Sequence, residues 1–267
     1  MTEWNLSGWT EFRDVVHEIR ENYGYHTRNN TVLFRGQPNG PLKSTLERTT
    51  SEEFSLSSYI LRARQRANEL ESYTDTNWGL SDWPKLHDEI KDSQPEYGIY
   101  MPPKLASYLI YLRQLGYPSP LLDWTTSPYI AAYFAMCEPA EREKDVAIFV
   151  YIQYVGNIKS VRNPMISVLG PNVRTHKRHF AQKAQYTMAS QYMSSQHIFC
   201  SHHKVFDQPQ KPYDTPQDVL IKITLPINLR KVALKELDKD YNINHFTLFQ
   251  TEDSLIKALG MRDFGED

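Results

Sequence analysis

The chain has 267 residues, is 40% hydrophobic and carries a formal net charge of −2. That is enough apolar content to bury a core, while no global field holds the chain on a nucleic acid or an anionic membrane, so any such binding has to come from a local patch. Two cysteines, Cys137 and Cys200, are too few for a disulfide framework. The opening "MTEWNLSGWTEF" carries an early acid and has neither a basic n-region nor an apolar h-region. No apolar run approaches the ~20 residues of a membrane span. The expectation is a soluble, cytoplasmic, globular protein.

In chain order, Phe12, Val16, Ile19 and Tyr23 recur at helical spacing and predict a helix over 9–23. "TVLFRGQ" (31–37) reads as a short strand stopped by Gly36 and Pro38. Phe54 to Leu70 and Pro103 to Leu115 read as amphipathic helices. "DVAIFVYIQYV" (145–155) is the strongest strand, followed by shorter ones at 184–189, 197–201 and 219–226. Leu229 to Leu237 and Asp253 to Leu259 are predicted helices around a short strand, "HFTLF". The Pro-, Gln- and Asp-rich stretch 203–217 reads as a surface loop. Helices and strands mix without βαβα alternation, which predicts one α+β domain over 1–267.

Two stretches carry chemistry. In "LLDWTTSPYIAAYFA" (121–135), Ser127-Pro128 is a helix start, with a hydroxyl to cap the first turn and proline at the first helical position. Packing explains Ser127, Pro128 and the alanines; it does not explain Asp123-Trp124 ahead of three hydroxyls. An acid and several donors beside a helix N-terminus suit a polar ligand. In "LFRGQPNG" (33–40), Arg35 leaves a strand end beside a glycine. It can clamp a phosphate or carboxylate through two parallel hydrogen bonds, or pair with an acid such as Asp123.

These two stretches resemble the FRG domain, named for its Phe-Arg-Gly signature. "FRGQ" at Phe34 to Gln37 and the block Gly116, Pro118, Leu121 to Thr125, Ser127, Pro128, Ala131, Phe134 and Ala135 carry the likeness. "RHFAQKAQYTMA" resembles a further family block at Arg178, Ala181, Gln182 and Thr187, with Ala184 where the family has glycine. The tail around "HFTLFQ" resembles its closing segment, with Gln250 in place of a proline. The resemblance covers about residues 10–260.

The order of these blocks is in turn similar to the ADP-ribosyltransferase fold, which implies a split β-sheet core and NAD as substrate. On that mapping Arg35 grips the NAD diphosphate or ribose, assisted by Gly36 and Gln37. Thr125, Thr126 and Ser127 line the nicotinamide end, and Trp124 with Tyr133 or Tyr129 offers stacking surface. Asp123 orients Arg35 or a ribose hydroxyl. The third position, a glutamate in that superfamily, falls on Gln182, which cannot act as a base. Asp123, Glu47 or Glu236 would then supply the charge that an oxocarbenium-like transition state requires.

A basic run, "RTHKRHFAQK" (174–183), brings Arg174, Lys177, Arg178 and Lys183 near Phe180, Tyr186 and Tyr192. It is the candidate patch for a phosphate backbone and stacked bases, RNA ahead of duplex DNA. The resemblance thus implies an ADP-ribosyltransferase acting on a macromolecule as a toxin or phage-defence effector, with a possible antitoxin partner. The alternatives are a non-catalytic nucleotide or nucleic-acid binding module and, requiring a metal-binding carboxylate cluster that the sequence does not display, a nuclease. His197, Cys200, His202 and His203 are zinc-capable residue types at a spacing that supplies no second ligand pair, so no metal is expected.

Overall fold

The computed structural model describes residues 2–25, 31–91, 99, 101–137, 145–153, 163–170, 173, 175–207 and 218–264. Among the described residues eight strands form one mixed sheet: β1 (Thr2–Asn5), β2 (Thr31–Pro38), β3 (Leu122–Thr125), β4 (Val146–Gln153), β5 (Met165–Leu169), β6 (Ala184–Met193), β7 (Gln196–Phe199) and β8 (Asp218–Leu225). Their order is β1-β8-β4-β2-β3-β6-β5, with β7 also on β6. The pair β1·β8 is parallel and the others are antiparallel.

The helices are α1 (Trp9–Ile19), α2 (Thr45–Thr49), α3 (Leu56–Gln65), α4 (Ala67–Thr74), α5 (Trp83–Lys91), α6 (Pro103–Gln114), α7 (Pro128–Met136), α8 (Lys177–Ala181), α9 (His202–Phe206), α10 (Arg230–Tyr241), α11 (His245–Phe249) and α12 (Glu252–Phe264). None of the described helices is long and apolar enough to cross a membrane. The α+β expectation holds.

Period-two alternation decides what each face of the sheet meets. Phe34, Ile148, Val150, Ile152, Ile221 and Ile223 face α1, α7 and α10 in one buried cluster. Beyond the β2/β3 junction, Tyr186 and Met188 pack with Leu105, Tyr108, Leu109 and Leu112 of α6 and with α3. The opposite face joins Leu33, Leu122, Trp124, Phe149, Tyr151 and Leu220 to Leu42. Burying each such Ile, Leu or Phe contributes about 1.5–3 kcal/mol relative to exposure.

Helix α7 lies unusually close to β2. A Cβ placed on Gly36 would stand 1.7 Å from the Ala131 carbonyl oxygen and 2.6 Å from the Ala135 nitrogen. The Phe-Arg-Gly glycine is therefore the residue that lets backbone approach backbone.

Several elements depart from the sequence expectations. The first helix ends at Ile19 and continues as a π-helical turn over Arg20–Tyr25. The helix expected from Phe54 to Leu70 is two, broken at Arg66, whose N–H reaches back to Ala63 and Arg64 rather than four residues. "HFTLF" is not a strand but helix α11, because Asn244 and Thr247 form a reciprocal capping box at its start. In the expected loop 203–217, residues up to 206 belong to α9, and 208–217 lie outside the described residues. The edge strands β1 and β5 have no counterpart in the sequence reading.

Candidate functional site

The strands β2 and β4 pair over eight residues, Thr31↔Gln153 to Pro38↔Val146, whereas β2 and β3 share the single pair Phe34↔Thr125. Beyond Phe34 the two strands diverge, and the Arg35 guanidinium bridges the gap: Nη1 donates to the Asp123 carbonyl at 2.7 Å and Nε to Gln37 Oε1 at 3.2 Å. A cleft of about 700 Å³ opens here. Its walls come from the end of β2, from β3, from the C-terminus of α6, from α8 and from Phe249 of α11.

Four arginines line this cleft, Arg35, Arg48, Arg113 and Arg178, against one carboxylate among the described lining residues, Asp123. Arg113 Nη2 donates to Asp123 Oδ2, and Arg35 Nη1 lies 3.9 Å from the same oxygen. Arg113 is also braced by the Leu121 carbonyl at 3.3 Å. Arg35 has a side chain only 12% exposed. Burial lowers its pKa to about 10; Asp123 raises it, while Arg113 and Arg48 push it further down. It stays cationic at neutral pH and is short of compensating negative charge. Such a cluster is suited to an anion that spans several guanidinium groups.

Two buried polar atoms of cleft-lining residues have no hydrogen-bond partner: Gln114 Oε1 and Arg178 Nε. The Gln114 amide is oriented by its nitrogen, which donates to the Tyr186 hydroxyl at 2.8 Å, so its oxygen remains as an acceptor. Arg178 lies over the Phe249 ring at 5.3 Å. Leaving a buried donor or acceptor unpaired costs about 1–3 kcal/mol, which a bound polar ligand removes.

Of the residues singled out in the sequence, Arg35, Gly36, Gln37, Asp123, Trp124, Thr125, Arg178 and Gln182 line the cleft. Gln182 is not on a strand: it caps the C-terminus of α8, and its amide donates to the Leu248 carbonyl at 3.2 Å. The Trp124 ring is buried, donating to Thr187 Oγ1 at 2.6 Å and packing on Tyr151, so it offers no stacking surface. Thr125 accepts from the Ser127 N–H, and Ser127 caps α7 through the Ile130 N–H. Thr126 and Ser127 stand outside the lining, and Tyr133 is buried against His245 in a different cavity.

Of the basic run, Arg178 points to the cleft, Lys177 and Lys183 are exposed, and Arg174 lies outside the described residues. Tyr186 is buried and stacked on His179 at 5.9 Å, leaving Phe180 as the exposed aromatic. The two other acids considered are engaged elsewhere: Glu47 in the α2 capping box and Glu236 with Arg13 at 3.8 Å. Of the histidines near Cys200, His202 meets Thr187 at 2.8 Å and His203 accepts from the Leu42 N–H at 3.0 Å. Among the described residues no group of His, Cys, Asp or Glu is placed to hold a metal. Sequence reasoning missed Arg48, Arg113 and Gln114 as site residues.

No curated protein and no solved structure matches the chain. Residues 30–144 match the FRG domain, a span that includes Arg35 and the Asp123 to Ala135 block and stops short of the block at 178–187. The resemblance to the FRG family is thereby supported over the part of the chain that supplies β2, α6, β3 and α7.

Proposed function

We propose that the cleft binds NAD through its diphosphate and that the protein transfers ADP-ribose from it to a macromolecule. The observation that carries this reading is the convergence of Arg35, Arg48, Arg113 and Arg178 on one cleft with a single carboxylate among its described lining residues. A dinucleotide diphosphate spans several guanidinium groups at once, and the volume lies within the roughly 300–1,000 Å³ of small-molecule sites. The placement of the three blocks also supports it: Arg35, Thr125 and Gln182, far apart in sequence, line the same walls.

In this reaction the bond between ribose C1′ and the nicotinamide nitrogen breaks, with its electron pair leaving on nicotinamide. The acceptor nucleophile bonds to C1′ and releases its proton. Asp123 would supply the negative charge near the ribose, and the guanidinium groups hold the diphosphate still. RNA as acceptor belongs to the same proposal through the basic run that carries Lys177, Arg178 and Lys183, and a role as a toxin or phage-defence effector with an inhibitor protein through analogy with the ADP-ribosyltransferase superfamily.

One observation favours a second reading, a non-catalytic nucleotide-binding module. Asp123 is engaged by Arg113, Gln182 is tied to Leu248, and no other described carboxylate lines the cleft. Incubating the protein with labelled NAD and cell lysate separates the two. Label in a nuclease-sensitive fraction, lost with Arg35→Ala, supports transfer to nucleic acid; label removed only by protease moves the acceptor to protein. NAD binding without label transfer or nicotinamide release leaves the module and rejects the transferase.

A further inference from the structure

Helix α11 lines two cavities. Phe249 borders the Arg35 cleft, while His245 borders a second cavity of about 520 Å³ between α10 and α12. Among the described residues lining this second cavity are the cationic side chains Arg230, Lys235, Lys239 and Arg262 and one carboxylate, Asp238. That carboxylate is already committed. Arg262 donates to it twice, at 2.7 and 2.8 Å, and Asn244 Nδ2 donates at 2.8 Å, which together hold its pKa below the usual range.

Lys231, Lys235 and Lys239 follow at one-turn spacing on a single face of α10. The three lysines are exposed to water. They border a concavity floored by Leu234, Ile243, Ala258 and Met261. At the base, the hydroxyl of buried Tyr133 meets His245 Nδ1 at 3.0 Å. Burial, with Lys257 and Arg178 nearby, lowers the His245 pKa and keeps that ring neutral near pH 7. A second α10 acid, Glu236, pairs with Arg13 outside the cavity.

We propose that this cavity binds a phosphate-bearing small molecule with an apolar body. The phosphate sits on the Lys235 and Lys239 rim, and the body lies over Leu234, Ile243 and Met261. Its volume falls in the range of small-molecule sites, and an apolar floor with a few convergent charged groups is their usual build. The phosphate has two natural sources, a mononucleotide or a phospholipid headgroup. The proposal does not rest on NAD as the ligand of the Arg35 cleft.

The test uses AMP as probe in calorimetric titrations, and flotation with phosphatidylcholine vesicles containing phosphatidic acid. Wild type, Arg35→Ala and the double variant Lys235→Ala/Lys239→Ala are compared, the two lysines being exposed so that folding is not at issue. The expected result is AMP binding that persists in Arg35→Ala and weakens about tenfold or more in the double variant. Flotation lost in the double variant, without AMP binding, supports the same site and assigns the phosphate to lipid. AMP binding lost in Arg35→Ala but unchanged in the double variant, with no flotation, overturns the second site and leaves the Arg35 cleft standing. Binding of neither probe to wild type overturns it as well. AMP binding that depends on the lysines, in a protein that does not bind NAD, supports this site while rejecting the NAD reading.

Discussion

The two edges of β2 form a contrast. Against β4 the strand is paired along its full length, and above it α7 sits so close that only glycine fits at position 36. Against β3 the same strand pairs once and then splays, and the gap is filled by a guanidinium, not by ladder hydrogen bonds. One edge is dry, saturated and explained by packing. The other is cationic and leaves buried polar atoms without partners. The lesson is that a rigid wall and an open cleft can be built from adjacent residues, Gly36 for the wall and Arg35 for the cleft, and that substitutions at the two should fail in different ways.

The largest effect is expected on the packed edge. Gly36→Ala places a methyl group inside backbone atoms of α7 that belong to a helix and cannot rotate away. It should cost about 3 kcal/mol or more in denaturant unfolding, read as a lower midpoint at unchanged slope. Wild-type stability of this variant would show that α7 is not held where the fold places it.

On the open edge, Arg35→Ala should leave the ladder to β4 intact and weaken nucleotide binding about a hundredfold, with Arg35→Lys failing to restore it because the paired donors to Asp123 and Gln37 are lost. A variant that unfolds instead would place Arg35 with the packing residues and erase the contrast.

Behind the cleft, pH offers a subtler probe. His202 is fully buried and its pKa is lowered to about 3, first by burial and then by the neighbouring charges of Arg35 and His203. A histidine whose pKa is depressed on folding stabilises fully above its unfolded value of about 6.5 and loses that contribution as pH falls from there toward 3. Stability should therefore fall by about 2 kcal/mol between pH 6.5 and pH 5 from this residue alone. His176 and His245, also lowered chiefly by burial, act in the same direction. A flat profile over this range would mean that His202 is reached by water.

The smallest effect belongs to Trp124→Phe, which removes the donor to Thr187 and loosens the chain from Trp124 through Thr187 to His202. About 1 kcal/mol of stability should be lost, with nucleotide affinity unchanged because the ring is buried against Thr187 and Tyr151.

Much of this contrast was readable in the chain, for local reasons. The strand composition of β4 and β8 and the Ser127-Pro128 start of α7 follow from nearest-neighbour chemistry, whereas the pairing of Arg35 with Asp123, 88 residues away, was one of two alternatives the chain left open for that guanidinium. What was not readable depends on tertiary placement. Arg113 sits on α6 and Arg48 on α2; Arg48 belongs to an L-x-x-x-x-R block of the family resemblance, but that either faces Arg35 depends on how the helices pack. Trp124 and Tyr133 looked like stacking surface because a large aromatic in a motif reads the same whether it faces a ligand or the core; the fold buries both. Gln182, matched through its family block to the third position of the superfamily, lies at the end of a single helical turn with its amide tied to the Leu248 carbonyl, which no local pattern signals. The capping box that makes "HFTLF" a helix was present in Asn244 and Thr247 but is too short a signal to outweigh five residues of strand-like composition.

The most direct test of the central claim is a calorimetric titration of NAD into the wild-type protein and into Arg35→Ala. Saturable binding of one equivalent, weakened about a hundredfold by the substitution while the unfolding midpoint holds, is the predicted result. No NAD binding by folded wild-type protein, or binding that Arg35→Ala leaves unchanged, would contradict it.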